Sequence, residues 1–321
     1  SSDASTIKQI NRVEKSATLG GHVDNLLLNH NMDKDSNWTF LKTGTCTDYK
    51  GYASNQCYIG TTSLRLAATD TISGNMLRYR QMLTNSEVVP GETYTLSGYI
   101  KTTYLETLNA NTYGAGIVVI CYLEDGSSKT FYTDFISATT NNTINNGWRR
   151  ENVTFTVPDN TTQTSVNLLL KEANGNAYFD AIQLEEGDVV NPYNLLENSG
   201  FEKADSLYGY TTSNVTSSDG VVEEGLNNGH GYKMTGDMTT AKRIFNTVEV
   251  SGTEDDTYIV SGWSKACSAP AYLSDNSKDG VDRKYKLSIK VTYTDGGVVW
   301  KLPAEFNYSI DTWQYTSAII N

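Results

Sequence analysis

Pairs of adjacent acidic residues are the first candidates for acid–base chemistry in this sequence: Glu185-Glu186, Glu223-Glu224 and Asp255-Asp256. Hydrolysis of a glycosidic bond needs two carboxylates that face each other across a cleft, about 5 to 10 Å apart. Adjacent residues instead point to opposite faces of a strand, and in a loop both meet solvent. The sequence also has no Gly-x-Ser-x-Gly motif and no phosphate-binding glycine loop. We therefore predict that the chain is not an enzyme, with a place inside a larger carbohydrate-active enzyme left open.

Histidine and cysteine give little support for metal or redox chemistry. The three histidines are too scattered for a zinc site, and no Cys-x-x-Cys pair occurs. Cys46 and Cys57 share one loop, so an oxidising environment would allow a disulfide between them, with two free thiols as the equal alternative. Cys121 lies in an apolar stretch and is predicted to be a core residue, whereas Cys267 has no obvious partner.

The composition predicts an acidic, all-β segment. The chain has 321 residues and a net charge of -12 without any run of basic residues, so we do not expect nucleic acid as a partner. No apolar stretch reaches the roughly 20 residues needed to cross a bilayer. Thr, Asn, Ser, Gly and Tyr are abundant, which favours short strands joined by turns. The chain starts at Ser1 without a signal peptide, which indicates a segment of a longer polypeptide whose further domains are its neighbours.

The sequence nearly repeats itself. Asn25–Asp33 returns as Asn194–Glu202, and three further landmarks follow each copy in the same order. These landmarks are Tyr94–Lys101 and Tyr258–Lys265, Tyr122–Gly126 and Thr292–Gly296, and Trp148 and Trp313. Repeats this long should each close their own core, unlike solenoid units of roughly 20 to 50 residues. We predict a linker or upstream tail at 1–23 and two domains at 24–193 and 194–321, the second without its closing strands.

Alternation of apolar and polar residues identifies strands and their inward faces. From Tyr94 to Lys101 the even positions are predicted to face the core, which leaves Tyr99 and Lys101 on the outer face. Alignment of the two sequence copies assigns Val119, Cys121 and Leu123 to the inward face of their strand. It assigns Val118, Ile120 and Tyr122 to the outward face. Asp-Gly turns follow these strands in both copies, so an antiparallel sheet is predicted.

Together these motifs resemble a known family. An opening Asn-Leu-Leu-x-Asn-x-x-Phe-Glu, a central Tyr-x-Leu-Ser-Gly-Tyr/Trp-x-Lys and a closing Tyr-Phe-Asp-Ala-Ile-Gln-Leu are similar to the jelly-roll carbohydrate-binding modules of the four/nine type in secreted bacterial enzymes. The link from Gln183 to Leu195 also resembles tandem copies in large wall-associated bacterial proteins with tyrosine-aspartate (Rhs-type) repeats. The resemblance implies two tandem β-sandwich domains of jelly-roll, galactose-binding-domain-like fold. It also implies a polysaccharide or cell-wall glycan as partner and a secreted or cell-surface location.

The resemblance further implies a structural calcium ion between the opening acidic residue and the aspartate of the closing strand. These residues are Asp33 and Asp180 in the first copy, and Glu202 in the second, whose closing aspartate has no counterpart in the chain. Hard oxygen ligands from distant strands suit calcium, with backbone carbonyls completing the coordination. The alternative is that both aspartates cap turns in solvent.

The resemblance places sugar binding on the outward faces of the central strands. Sugars present apolar C–H faces and hydroxyl groups, so a sugar groove combines aromatic rings with a few polar groups. The predicted ligand-binding residues are Tyr99, Lys101, Tyr122 and Arg80, with Arg78 beside it, and in the second copy Trp263, Lys265 and Lys290. If these aromatics only pack under loops, the pair of domains is a structural spacer or adhesion module. A polysaccharide lyase, which would use Tyr, His and Arg or Lys on such a fold, stays open, although those residues are not clustered.

Overall fold

The computed structural model describes residues 23–109, 113–137, 147–203, 207–226, 229–236, 240–250, 252, 256–266, 285–307 and 310–320, with only the backbone at 302–304. Within these residues the chain forms eighteen β-strands and no α-helix, which confirms the predicted all-β class. None of the described segments is a helix long and apolar enough to span a membrane. Cys267 and most of the predicted linker at 1–23 lie outside the described residues.

The chain divides into two compact units, and the division differs from the predicted boundary. The first unit comprises Gly21–Ser199 with Asn246–Ser251, and the second contains Gly200–Phe245 and Gly252–Asn321. The first unit therefore includes the opening segment of the second sequence copy. The domain limits deduced from the repeat stay a prediction.

The first unit contains ten strands. They are β1 (Thr39–Thr43), β2 (Asp48–Ala53), β3 (Ser63–Ala68), β4 (Met76–Leu83), β5 (Thr93–Thr107), β6 (Gly114–Leu123), β7 (Ser128–Tyr132), β8 (Arg149–Thr156), β9 (Thr161–Lys171) and β10 (Ala173–Glu186). Five of them form sheet A in the order β1-β4-β9-β6-β7, and five form sheet B in the order β2-β3-β10-β5-β8. All neighbouring strands in both sheets are antiparallel. This architecture is the predicted β-sandwich.

The core lies between sheets A and B and follows the predicted alternation. Tyr94, Leu96 and Ile100 of β5 are buried, as are Val119 and Cys121 of β6. The largest fully buried side chains come from both sheets: Phe179, Leu64, Leu66, Leu96 and Ile100 from sheet B, and Leu77, Leu83, Ile117, Leu168 and Leu170 from sheet A. Burial of this apolar surface is the main source of stability for the sandwich.

Gly98 marks a point of close approach between the two sheets. A Cβ atom at this position would lie 2.5 Å from Ile182 Cδ1 of sheet B and 2.6 Å from Ile117 Cδ1 of sheet A. The absence of a side chain therefore lets both isoleucines fill the core beside the backbone of β5.

The second unit is built from shorter pairings. Its strands are β11 (Tyr210–Ser213), β12 (Gly220–Val222), β13 (Gly231–Lys233), β14 (Arg243–Asn246), β15 (Tyr258–Ser264), β16 (Lys286–Thr292), β17 (Val298–Glu305) and β18 (Gln314–Ile320). They form four two-stranded sheets: β11-β14, β12-β13, β15-β18 and β16-β17. Several large apolar side chains are about half exposed, among them Ile259 at 52%, Trp300 at 52% and Ile319 at 49%.

The sequence repeat is also a repeat of backbone conformation. Asn29 and Asn198 both have positive φ, at 49° and 53°, and Met32 and Phe201 follow with φ of 58° and 60°. The opening asparagine forms the same local turn in each copy, accepting the N–H of the residue two positions later: Asn25 from Leu27 at 3.2 Å and Asn194 from Leu196 at 3.0 Å. The opening motif therefore specifies one left-handed, asparagine-capped turn wherever it occurs.

Candidate functional site

The outer face of sheet A, the side turned away from sheet B, carries an unusual set of polar groups. Residues that pair directly across antiparallel strands share a face, so the register defines this surface. Its outward residues are Thr39, Leu41 and Thr43 of β1, Met76, Arg78, Arg80 and Met82 of β4, Gln163, Ser165, Asn167, Leu169 and Lys171 of β9, Gly114, Gly116, Val118, Ile120 and Tyr122 of β6, and Ser128, Thr130 and Tyr132 of β7.

The middle of this face is buried. Ser165 and Asn167 of β9 are 0% exposed, Val118 is 1% exposed and Leu169 is 4% exposed, although sheet B packs against the opposite side. Val118 and Asn167 are direct cross-strand partners. These four side chains, called the floor from here on, are therefore buried, although side chains on the outer face of a sheet are usually exposed.

Two arginines that border this floor have no partner among the described residues. Arg78 pairs with Leu169 across the strands and Arg80 pairs with Asn167. Neither guanidinium makes a hydrogen bond or ion pair with any residue that the structure describes, and the Nε atom of each is buried and unpaired. Because buried polar groups in folded proteins nearly always have a partner, these two groups are candidates for ligand contacts.

Asn167 adds a third unpaired group. Its Nδ2 donates to Ser165 Oγ at 2.9 Å, which leaves Oδ1 pointing away from that bond. Oδ1 is buried and has no hydrogen-bond partner among the described residues. The floor therefore offers one acceptor beside the two cationic donors.

Aromatic rings border the β6–β7 side of this face. Phe135 packs edge-on against Tyr113, with ring centroids 5.8 Å apart, and lies 5.9 Å from Tyr132. Gly116 makes room for Phe135, because a Cβ there would lie 2.8 Å from two of its ring carbons. Lys171 Nζ lies 3.7 Å from the centroid of Tyr113. Aromatic rings, cationic groups and an amide are therefore combined on one surface.

Tyr122 and Arg80 lie on this face, but Tyr99 and Lys101 do not. Tyr99 and Lys101 project from β5, whose outward side belongs to sheet B, so the structure does not bring Tyr99 and Tyr122 together on one face. Alternation distinguishes inward from outward residues and leaves open which of two sheets a strand joins. Tyr122 is half-buried, with its hydroxyl 3.5 Å from Ser165 Oγ.

Tyr99 is engaged in packing within the first unit. Its ring stacks on Tyr58 with centroids 3.6 Å apart and planes inclined by 14°. Arg150 lies beside the ring, with Cζ 5.8 Å from its centroid. One ring face of Tyr99 is therefore covered by the loop that carries Tyr58, which is the packing arrangement that the sequence left as an alternative.

Another part of the outer face of sheet B is covered by the segment that follows β10. Glu185, which is 2% exposed, accepts hydrogen bonds from Asn191 Nδ2 at 2.6 Å and Gln183 Nε2 at 3.0 Å. Gln183 Oε1 accepts the backbone N–H of Asn194 at 2.8 Å. The polar groups of this face are thereby paired with the segment that follows β10.

The two outward arginines of sheet B also have partners. Arg65 donates from Nη2 to Asn176 Oδ1 at 2.6 Å, and Arg150 donates from Nη2 to Ser97 Oγ at 2.9 Å and to the Asn191 carbonyl at 2.7 Å. Only Nε of Arg150 is left unpaired among their described contacts. Outward arginines on one sheet are thus used by the fold, whereas those on sheet A are not.

The predicted residues of the second unit lie on two different sheets. Trp263 of β15 is half-buried and packs against its cross-strand partner Tyr315, with centroids 5.1 Å apart. Lys265 Nζ lies 5.3 Å from the ring of Trp313. Lys290 is exposed on β16, opposite Trp300 of β17. The structure therefore groups Lys290 with Trp300, a residue that the repeat did not identify.

The predicted calcium residues of the first copy hold opposite ends of one loop. Asp180 is fully buried and accepts backbone N–H groups of Tyr58 at 2.7 Å, Ile59 at 3.2 Å and Ala181 at 2.7 Å. Asp33 accepts the N–H and hydroxyl of Thr61 at 2.8 and 2.9 Å. Asp180 is therefore not a turn cap in solvent, whereas Asp33 is partly exposed and caps the backbone at Thr61, as the alternative left open above expects.

Asp180 is a buried acid, and the set of possible metal ligands around it is small. Burial raises the pKa of Asp180 to about 8, the three backbone N–H donors oppose this rise, and the charge of Asp33 adds to it. Carboxylate oxygens are suitable calcium ligands. Among the described residues no group of three or more acidic, His or Cys side chains is arranged to hold a metal, so backbone carbonyls would have to complete the site.

Glu202 repeats the geometry of Asp33 in the second unit. Its Oε1 accepts the N–H of His230 at 3.0 Å and its Oε2 lies 2.7 Å from His230 Nδ1. Asp33 and Glu202 each accept the backbone N–H of a residue that directly follows a glycine: Thr61 after Gly60, and His230 after Gly229. A Cβ atom on Gly60 or Gly229 would come within 2.4 Å of the respective carboxylate. The acid–glycine contact is thus a feature of the repeat itself.

A buried titratable cluster in the first unit escaped the sequence analysis. His30 is 0% exposed, and its Nδ1 forms a short hydrogen bond with the Tyr193 hydroxyl. Burial lowers the pKa of His30 to about 3 and raises the pKa of Glu197 to about 7. Because His30 is neutral, the 3.5 Å contact between its Nε2 and Glu197 Oε1 is not an ion pair. Their wide separation in sequence leaves no local pattern to detect.

Two other features complete the first unit. Cys46, Cys57 and Cys121 are free thiols, so the possible disulfide is not formed, and Cys121 is a core residue as predicted. A cavity of about 580 Å³ opens near Asp33, between β1 and β2 and apart from the outer face of sheet A. It is lined by Asp33, Lys34, Asp35, Trp38, Phe40, Lys50, Gly51, Tyr52, Thr62 and Tyr79.

Comparison with known proteins finds curated relatives that are named as tRNA nucleases. The chain is 27% identical over 291 residues to a protein named tRNA(Glu)-specific nuclease WapA from Bacillus subtilis subsp. natto, which covers 87% of the chain and 11% of that protein. It is 26% identical over 273 residues to one named tRNA nuclease WapA from Bacillus subtilis strain 168, covering 81% of the chain and 11% of the relative. The chain thus spans about a tenth of the curated relatives it matches. No known protein-family profile matches.

The solved structures with a similar fold include carbohydrate-binding modules. One is the C-terminal family 22 module of Clostridium thermocellum Xyn10B, with a TM-score of 0.40 and 16% identity over 53% of this chain and 99% of that one. Another is the tandem family 22 pair of Paenibacillus barcinonensis Xyn10C, with a TM-score of 0.35 and 17% identity over 92% of this chain and 84% of that one. Likenesses this distant give no information on ligand or site.

The relatives correct one expectation and weaken another. The prediction that the protein is not an enzyme is wrong, because the curated relatives are named as tRNA nucleases. A place in a carbohydrate-active enzyme finds no counterpart in those names. The same names count against the expectation that nucleic acid plays no part. Acidic pairs, histidines and motifs within a segment of this size could not reveal an activity named for proteins about eight times as long.

Proposed function

We propose that this chain is a glycan-binding part of a larger, exported bacterial protein with tRNA nuclease activity, and that the outer face of sheet A holds the glycan. The single observation that carries the binding proposal is the buried floor around Asn167, with Arg78 and Arg80 unpaired beside it. The nuclease assignment of the whole protein is supported by its relatives' names.

The chemistry of the face suits a sugar polymer. Pyranose rings offer C–H groups to aromatic side chains, and their hydroxyls need both donors and acceptors. Tyr122, Tyr132 and Phe135 supply aromatic surface, the arginines supply donors, and Asn167 Oδ1 supplies an acceptor. A bound glycan would therefore satisfy groups that the fold leaves unpaired, and leaving them so costs free energy.

A structural spacer remains the second candidate. The stacking of Tyr99 on Tyr58 and the contact of Trp263 with Tyr315 support packing roles for two of the three aromatics first proposed to bind sugar. A pure spacer, however, gains nothing from unpaired guanidinium groups over a buried floor. We therefore place binding on sheet A and packing on sheet B.

Calcium belongs to the same proposal as a brace of the first unit. The ion would lie by Asp33 and Asp180, whose carboxylates hold the loop from Tyr58 to Thr61. It would supply positive charge where burial makes a lone carboxylate costly. Glu202 would serve the second unit only with ligands beyond its contact with His230.

The test is retention on a panel of plant, fungal and bacterial cell-wall polysaccharides by affinity electrophoresis. Asn167→Leu and Tyr122→Ala should lose retention, whereas Tyr99→Ala, from the packed face of sheet B, should keep it. Absence of retention on the whole panel, with folded protein by circular dichroism, would favour the spacer. For the larger protein, cleavage of purified tRNA is the matching assay, run beside this chain alone.

A further inference from the structure

We infer that the outer face of sheet A takes an acidic glycan, in which Arg78 and Arg80 bind the carboxylate or phosphate groups and Asn167 accepts a hydrogen bond from a hydroxyl. This inference rests on the proposed glycan binding and adds the chemical class of the ligand. It is carried by the unpaired groups, their spacing and the charge of the face.

The arginine pair is suited to anions. Arg78 and Arg80 are two residues apart on β4, so their Cα atoms are about 7 Å apart on one face. A guanidinium presents planar donors that match a carboxylate or phosphate and holds its charge at all accessible pH values. Since neither has an acidic partner among the described residues, their charge is not neutralised within the described chain.

The charge of the face is opposite to that of the chain. The chain has a net charge of -12, yet none of the outward strand residues on sheet A is Asp or Glu. Three of them are cations: Arg78, Arg80 and Lys171. A cationic face on an acidic protein attracts anions locally while the rest of the surface repels them.

Asn167 indicates that the ligand is a sugar and not only an anion. It pairs directly with Arg80, so the two Cβ atoms lie about 5 Å apart. Oδ1 can only accept a hydrogen bond, and an inorganic anion or a bare phosphodiester has no proton to donate there. An acidic monosaccharide carries both a hydroxyl donor and an acidic acceptor within that span.

RNA is the less suitable polyanion for this face. Binding to a phosphate backbone uses many Lys and Arg contacts, each adding to a steep salt dependence. Only three cations are available among the outward strand residues, and the floor between them is buried and partly apolar. So few cations suit a polymer that makes few contacts with the face rather than a folded tRNA.

The experiment measures binding of the whole chain to four probes: polygalacturonate, poly(glycerol phosphate), xylan and purified tRNA. Titration calorimetry or affinity electrophoresis is run at about 50 and 200 mM salt. Wild type is compared with Arg80→Gln, with Arg80→Lys, which keeps the charge, and with Arg65→Gln. Arg65 is the matched control because it is an outward arginine whose partner is Asn176 on sheet B. Thermal unfolding of each variant confirms folding.

We expect at least one acidic polymer to bind roughly tenfold tighter than xylan, with Arg80→Gln lowering that affinity roughly tenfold to hundredfold. Arg80→Lys should recover part of the loss, Arg65→Gln should have no effect, and the preferred polymer identifies carboxylate or phosphate. Equal affinity for xylan, reduced equally by Arg80→Gln, would overturn the acidic class while leaving glycan binding in place. Binding of tRNA alone through Arg80 would overturn it in favour of RNA, and no binding of any polysaccharide would overturn both proposals.

Discussion

The two outer faces of the first unit are built from the same kinds of strands but differ in how their polar groups are used. On sheet B, Arg65 and Arg150 donate to Asn176, Ser97 and the chain after β10. On sheet A, Arg78 and Arg80 have no partner among the described residues. The difference teaches that outward position alone does not mark a binding face; the proposed site rests instead on the cluster of buried groups on sheet A that have no partner among the described residues.

The largest expected effect separates the two faces by stability. Glu185→Leu on sheet B should lower the free energy of unfolding by roughly 4 kcal/mol, because a buried carboxylate that accepts several hydrogen bonds is lost. Asn167→Leu on sheet A should change it by less than about 1 kcal/mol, because loss of the hydrogen bond from Nδ2 to Ser165 Oγ is offset by removal of the buried Oδ1, which has no partner among the described residues. Urea unfolding measures both. Equal losses in the two variants would remove the distinction between the faces.

The pH dependence tests the covered segment after β10. Glu197 has a folded pKa of about 7 against 4.5 for the free group, so the folded state binds the proton more tightly. Its contribution is fully present below about pH 4.5 and is lost as pH rises through 7, by up to about 3 kcal/mol. Glu197→Gln should flatten this part of the stability curve, measured by denaturant unfolding in steps of pH. An unchanged slope in the variant would show that Glu197 is not held in a buried site.

The two tyrosines first proposed as sugar platforms should respond in opposite ways. Tyr99→Ala should cost about 2 kcal/mol of stability and leave glycan binding unchanged, because its ring stacks on Tyr58. Tyr122→Ala should cost less stability and weaken binding. Thermal unfolding and affinity electrophoresis of both variants decide between these roles. Loss of binding in Tyr99→Ala at full stability would return the site to sheet B.

The smallest effect concerns calcium. Millimolar calcium added to chelator-treated protein should stabilise the first unit by about 1 to 2 kcal/mol, as expected for a weak extracellular-type site. Asp33→Asn should abolish the gain because it removes one of the two carboxylates that hold the loop. Magnesium serves as the control cation in thermal unfolding. No shift with calcium in the wild type would mean that Asp33 and Asp180 serve the loop alone.

Sequence predicted the framework of the first unit well. The alternation in Tyr94–Lys101 and in β6 gave the inward residues correctly, and the repeated opening motif forms the same turn in both copies. These features depend on near neighbours in the chain, which the side-chain period and turn chemistry determine.

The site was less predictable because it depends on distant pairings. The strand order that places Arg80 beside Asn167, and Tyr99 on the other sheet, joins residues far apart in sequence. The covering of Tyr99 by Tyr58 and the burial of His30 near Glu197 have the same origin. One local signal existed: Ser165 and Asn167 are polar residues in alternation with Val166 and Leu168, which marks an outward face on the central strand of sheet A.

The most direct test of the binding face is an NMR titration of the isotope-labelled chain with a retained oligosaccharide. We predict that the largest shifts occur in the Asn167 side-chain amide and in the backbone of β4, β9 and β6, with the region of Tyr99 unaffected. Shifts concentrated around Tyr99 and Tyr58, or confined to the second unit, would contradict the assignment of the site to the outer face of sheet A.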